Sequence, residues 1–165
     1  MSGRLRVGDW IECDGIRGRV TDINYQTTLV ETVQSTQVAF LNASLFGKSF
    51  HNHTRNDAYE FVKVTVGVAY GVDFDKLRAI LDQALLQLRT KDSFGREIVD
   101  PKRGISVRFN EFGDSAVEVS VKQFVLVSER GGFIDREKEL IYKTLNENGI
   151  QIPFPQCDVH MIKDE

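Results

Sequence analysis

The sequence predicts an α+β chain: a small β-barrel domain over residues 1–57, then an α/β domain over 58–165 with a short last strand at 158–162. Three observations carry that reading. Five short runs rich in Val, Ile, Thr and aromatic residues crowd the first fifty or so residues, with turn residues between them. After the polar stretch Thr54-Arg55-Asn56-Asp57, apolar residues recur at helical spacing in two separate segments. The elements beyond residue 58 follow the order β-α-β-β-α-β, which is the ferredoxin-like pattern.

Taken in order, Trp10–Cys13 and Ile16–Asn24 read as strands joined by Asp14-Gly15. That dipeptide is a two-residue hairpin signal, because both central positions of the tight turn require positive φ. Thr28–Val33, Thr36–Phe40 and Lys48–His53 supply three more strands, and Asn42–Phe46 is long enough for one helical turn. A barrel this small buries little core and is expected to lean on partners. Tyr59–Ala69 opens the second domain as a strand. Asp73 is placed to cap a helix running to Arg89, with Phe74, Leu77, Leu81, Ala84, Leu85 and Leu88 on one face. A polar loop, Thr90–Gly104, leads to a hairpin of Ile105–Phe112 and Ala116–Val127 about Gly113-Asp114-Ser115. A second helix is expected over Asp135–Asn148, ended by Gly149, with Ile150 folding back on Leu145 in a Schellman ending.

Composition narrows the function classes. The 165 residues carry a net charge of −3, whereas a general nucleic-acid binder is more often basic, so no nucleic-acid partner is expected. Cys13 and Cys157 are too few for a disulfide framework, which makes a reducing cytosol the default. No apolar run approaches the ~20 residues of a spanning helix. No secretory leader is visible, and Met1-Ser2-Gly3 is compatible with an added leader, the natural chain then beginning further upstream.

Chemical motifs are weak. Gly47-Lys48-Ser49 resembles the tail of a phosphate-binding loop, but Asn42 stands where the pattern needs its first glycine. His51 and His53 share a face if they lie on a strand, yet two histidines make no metal site without further ligands. Cys13 lacks a visible base and reads as a small apolar packing residue. Asn42-Ala43-Ser44 and Asn52-His53-Thr54 match a three-residue glycosylation signal that arises often by chance. Trp10 reads first as core, with a subunit contact as the alternative. No catalytic residue, metal or cofactor is expected.

Several ordered segments carry a family resemblance. Val7-Gly8-Asp9-Trp10-Ile11, Gly15-Ile16-Arg17-Gly18-Arg19-Val20 and Thr27-Thr28-Leu29 open it. Val38-Ala39-Phe40-Leu41-Asn42-Ala43-Ser44-Leu45, Phe112-Gly113-Asp114-Ser115-Ala116-Val117 and Gly149-Ile150-Gln151-Ile152-Pro153-Phe154-Pro155-Gln156 continue it. Together they resemble the cytoplasmic region of the small-conductance mechanosensitive ion channel family over nearly the whole chain. Where that family usually has Pro-Asn-Ser, this chain has Leu41-Asn42-Ala43, so the turn there departs from the pattern.

The resemblance implies an Sm-like β-domain that rings with six other copies beneath the membrane, and a second domain that closes a hollow cage with side portals. It implies ring or assembly contacts at Trp10, Asn42, Ser44 and Leu45. It also implies that 158–162 leaves the ferredoxin-like sheet for a shared floor barrel, lined by Cys157, Val159 and Met161. Pro153 and Pro155 suit the extended spacer that this requires. Arg4, Arg6, Arg17 and Arg19 would then face anionic headgroups below the upstream membrane helices, the alternative being a solvated basic face. The implied function is the vestibule of a channel that releases solutes on osmotic downshock, on the cytoplasmic side of the cell membrane and with no catalytic role. Two alternatives stand beside it: a soluble Sm-like ring binding RNA, and a small-molecule sensor whose loop Thr90–Gly104 covers a pocket.

Overall fold

The computed structural model describes residues 5–54, 58–155, 157 and 159–162. The fold is α+β, and the chain divides into two compact units. The first unit takes residues 1–60 with 126–128, and the second takes 61–125 with 129–165.

In the first unit, β1 (Trp10–Cys13), β2 (Ile16–Ile23), β3 (Thr27–Thr32), β4 (Gln37–Leu41) and β5 (His51–Asn52) form one sheet in the order β4-β3-β2-β1-β5. All of its pairings are antiparallel. Asp14 and Gly15 take φ of 52° and 75°, as the two-residue turn demands, and Cys13 pairs with Ile16 across it. Gly18 answers a different need, since a Cβ there would lie 2.5 Å from the carbonyl oxygen of Glu31 on the neighbouring strand. The helical turn α1 spans Asn42–Phe46. Leu5, Ile11, Cys13, Val20, Val30 and Leu45 form the core, with Ile23, Phe40 and Phe50 packed against it.

Two expectations change here. The fifth strand is only two residues long: Lys48, whose N–H reaches Leu45 O, still belongs to the turn leaving α1, and pairing with β1 begins at His51. The sheet also remains open: its pairing ends at β4 on one side and β5 on the other, without a barrel closure among the described residues.

The second unit holds β6 (Tyr59–Val68, its first two residues in the first unit), α2 (Phe74–Leu85), β7 (Ser106–Phe112), β8 (Val117–Leu126) and α3 (Arg130–Glu147). The sheet order is β6-β8-β7. Period-2 alternation sends Val62, Val64 and Val68 of β6, and Val117, Val119, Val121 and Val125 of β8, into the core. Leu77, Leu81 and Leu85 of α2 and Phe133, Ile141 and Leu145 of α3 cover that face.

The ends of α2 and α3 follow local chemistry. Asp73 is the N-cap of α2, and its carboxylate accepts from the N–H groups of Asp75 and Lys76. Asp73→Ala is therefore expected to cost about 1 kcal/mol of second-unit stability in a denaturant titration, and no loss would refute the capping role. After Leu85 the helix tightens into a 3-10 turn over Leu86–Leu88, so the predicted helix is shorter than its apolar spacing suggested. At the end of α3, Gly149 has φ 68°, its N–H reaches Asn146 O, and the Ile150 N–H reaches Leu145 O at 2.9 Å. That is the expected Schellman ending.

The start of α3 differs from the prediction by five residues. Gly131-Gly132 disfavours helix locally, but Phe133 is fully buried, and packing of that ring carries the helix back to Arg130. The polar loop is likewise more ordered than its composition implies. The Asp92 side chain accepts from Phe94 N, Arg96 N and Arg96 Nε, and Ile98 and Val99 are buried.

Of the predicted last strand, Val159–Ile162 take no strand assignment, and Asp158 lies outside the described residues. Of the stretch that follows α3, Gln151 approaches the sheet most directly, its carbonyl accepting from Ala69 N at 2.9 Å just beyond β6. No described helix is long and apolar enough to cross a membrane.

Candidate functional site

The residues singled out in the sequence gather mainly on the first unit. Alternation on β1 turns Ile11 and Cys13 inward, which puts Trp10 and Glu12 on the other face. Trp10 is accordingly half-buried and outside the core cluster, a correction to its reading as core. Its N–H donates to Thr54 Oγ1 at 3.2 Å, and its carbonyl accepts from His53 N at 2.8 Å. The Arg17 guanidinium lies 5.9 Å from the centre of its ring, within cation–π range.

The basic residues separate into different environments. Arg6 and Arg19 are exposed, whereas Arg17 is half-buried. Arg17 pairs with the Glu60 carboxylate and also donates to the carbonyl of Val127 at 3.4 Å. Glu60 was not singled out in the sequence. It lies 43 residues from Arg17, and no local pattern links the two. Arg4 lies outside the described residues.

Around α1, Asn42 ties the strands together. Its amide Nδ2 donates to Asn24 O at 2.9 Å, and its Oδ1 accepts from Thr28 Oγ1 at 2.7 Å. Ser44 is exposed. Leu45 is 1% exposed and belongs to the core, which removes its side chain from the surface. Periodicity would have found this, since Leu45 is the apolar residue that a single helical turn can bury against the sheet.

At the C-terminal end, Cys157, Val159 and Met161 are all exposed, and so are His160 and Ile162. The two predicted faces of that segment are therefore not distinguished within one chain. Val159, Met161 and Ile162 leave three apolar side chains within four residues 76%, 87% and 92% exposed.

The candidate chemical residues do not converge. His51, on β5, and His53, in the turn just after it, stack with ring centres 6.1 Å apart, and His53 Nε2 lies 3.4 Å from the Glu12 carboxylate. Among the described residues no three of His, Cys, Asp and Glu are placed to hold a metal ion. Lys48 donates to Asp14 at 3.0 Å, and that hydrogen bond raises its pKa. Its ammonium is thus engaged by a neighbouring turn. Cys13 is buried, as expected of a packing residue. Two open grooves of about 370 and 360 Å³ are present, one between the β1–β2 and β3–β4 turns and one beside Gly113–Ala116. Among the described residues, Asp114 and Glu118 are the charged side chains lining the second, and neither groove gathers a set of convergent polar groups.

Comparison with known proteins bears on the chain as a whole. Residues 1–55 match the family model described as mechanosensitive ion channel, beta-domain, and residues 62–152 match that described as mechanosensitive ion channel MscS, C-terminal. An uncharacterised MscS family protein of Synechocystis is 30% identical over 161 residues, 98% of this chain and 51% of its own length. The small-conductance mechanosensitive channel of Edwardsiella ictaluri is 25% identical over 95% of this chain and 52% of its own. The crystal structure of Helicobacter pylori MscS in a closed state superposes with a TM-score of 0.80 at 20% identity, over 98% of this chain and 61% of that one. The chain spans about half the length of the curated relatives it matches.

Proposed function

The chain belongs to the MscS family of mechanosensitive ion channels, and from that membership we propose that it is the cytoplasmic vestibule of such a channel. The observation that carries the reading is the ordered pair of family matches, β-domain then C-terminal domain, over 1–55 and 62–152. Pore-forming helices belong upstream of Arg4 in this reading. The vestibule holds them in a ring, screens solutes by the size and charge of its portals, and has no catalytic role. The full channel releases solutes on osmotic downshock.

In this proposal the first unit is Sm-like and the second ferredoxin-like. The sheet order β6-β8-β7 supports the second assignment, as does the contact of Gln151 at the outer side of β6, where a further strand would lie. Self-assembly, into seven copies by the family's pattern, is supported by the open sheet of the first unit. The ends of an open sheet offer backbone donors and acceptors to a neighbouring chain. Trp10, Asn42 and Ser44 are the assembly contacts, with Leu45 supporting them from the core. Cys157, Val159 and Met161 line a floor barrel built from the tails of all copies, which would cover side chains that are bare in one chain. Arg6 and Arg19, with Arg4, face headgroups. Arg17 orders the surface beside them through Glu60.

Reading the gene upstream of the codon for Gly3 tests the proposal. An in-frame run encoding several apolar segments of ~20 residues is the expected result. A start codon at Met1 with no such run would overturn it. Native mass spectrometry of the 165-residue chain tests assembly separately, a seven-copy ring being the expected species.

A further inference from the structure

Glu137 is an ionisable group that the vestibule reading does not use. It sits midway along α3 with 0% of its surface exposed, and Gln123 on β8 is 1% exposed. Gln123 Nε2 donates to Glu137 Oε1 at 2.9 Å. The other two oxygens of the pair, Glu137 Oε2 and Gln123 Oε1, are both buried without a hydrogen-bond partner among the described residues. A buried carboxylate held by one neutral amide is costly, because one hydrogen bond does not replace the water it has lost.

Among the described residues, cations lie at the margins of the pair, and none is a named cause of the Glu137 shift. On β8, Gln123 shares its face with Val119, Val121 and Val125, while Glu118 and Lys122 alternate to the opposite face. On α2 the covering residues are Leu77, Leu81 and Leu85, flanked by Arg78 and Asp82. Asp82 has one carboxylate oxygen buried without a hydrogen-bond partner; burial raises its pKa, and Arg78 opposes this. Arg89 follows the 3-10 turn, its Nε also buried without a hydrogen-bond partner. On α3 itself, Arg136 and Lys138 are exposed, and Arg130, two turns before Glu137, is half-buried with its Nε out of water. Burial raises the Glu137 pKa from 4.5 to about 7, against the lowering effect of the Gln123 donor.

The amide partner suits both protonation states. An ionised Glu137 accepts from the Gln123 NH₂, as observed. A neutral Glu137 has an O–H to donate, and Gln123 Oε1 can accept it once the amide turns over. The pair thus keeps one hydrogen bond in either state, but only the ionised state carries a buried, uncompensated charge.

We propose that the Glu137–Gln123 pair is a proton-binding site through which acidification tightens the seating of α3 on the sheet of the second unit. The inference is independent of the channel reading. Its sign follows from linkage. An exposed glutamate in an opened state binds its proton less tightly than Glu137 does when α3 is seated. The added stability is complete below the ordinary glutamate range and is lost as pH rises through about 7. Between those limits the opening equilibrium of α3 rises about tenfold per pH unit, and it levels off above neutrality.

Two measurements on the 165-residue chain test this. Carbon NMR of the side-chain carboxyls, with Glu137 assigned by difference against Glu137→Gln, is expected to show a titration midpoint above 6. Hydrogen exchange of the α3 amides, corrected for the intrinsic pH dependence, is expected to quicken from pH 5 to pH 7 in the native chain and to stay flat in Glu137→Gln. A midpoint near 4.5, or the same pH dependence in both proteins, overturns the proposal. If Glu137→Gln fails to fold, Glu137→Asp supplies the assignment, and the midpoint and the native exchange profile decide the matter together.

Discussion

Replacing Phe133 with alanine is expected to remove about 3–5 kcal/mol of stability from the second unit, the usual range for truncating a fully buried aromatic ring. The ring is 0% exposed and packs in the cluster that contains Leu77, Leu81, Leu85 and Leu145. Its loss leaves a cavity between α3 and the sheet that the surrounding side chains can only partly refill. The same substitution at Phe112, which is 77% exposed, is expected to change stability by less than about 0.5 kcal/mol. Urea titrations read by hydrogen exchange in each unit make the comparison. A cost below 1 kcal/mol for Phe133→Ala, or protection lost mainly in residues 5–54, would show that Phe133 does not anchor α3. The ring also accounts for the helix running through Gly131-Gly132, so its removal should shorten α3 from that end.

Gly18→Ala is expected to destabilise the first unit by about 1–3 kcal/mol through overpacking. The added Cβ would meet Glu31 O at 2.5 Å and Val30 Cγ1 at 2.6 Å. The first of these is backbone on β3 and cannot rotate aside, so β2 and β3 must separate to admit a methyl group. Gly18 pairs with Thr32 near one end of the ladder, which places the damage next to the β3–β4 turn. Slower folding with an unchanged denaturation midpoint would argue against a native-state clash. Exchange protection should fall first in the amides of Gly18–Val20 and Val30–Thr32.

The features that were legible in the sequence are those whose causes lie within a few residues. Asp14-Gly15 dictates its turn because the two-residue hairpin needs positive φ at both positions, and both have it. Asp73 caps α2 because its carboxylate reaches N–H groups two and three residues along. Gly149 and Ile150 end α3 through hydrogen bonds to carbonyls three and five residues back. The apolar face of α2 and the inward positions of β8 follow from fixed periods of 3.6 and 2. The family was legible for a related reason: its motifs are short, contiguous and in order along the chain.

What only the tertiary structure decided are the outcomes in which distant residues compete with local preference. A strand's period says that Trp10 and Ile11 face opposite ways, but the assembled sheet chooses which face is buried, and it chose Ile11. Arg17 meets Glu60 from 43 residues away, a pairing that no local pattern announces. Leu45 looked available for assembly until one turn of helix laid it on the core. Two glycines argued against an early start to α3, and the burial of one phenylalanine outweighed them. The Glu137–Gln123 pair has no sequence signature, since a glutamate in an amphipathic helix is ordinarily solvated. Only the packing of α3 on β8 puts it out of water. Sequence alone therefore determined the local turns, the caps, the periodic alternation of the elements and the family of this protein. The tertiary structure decided which polar groups were buried and with whom, because burial is a property of the whole packed chain.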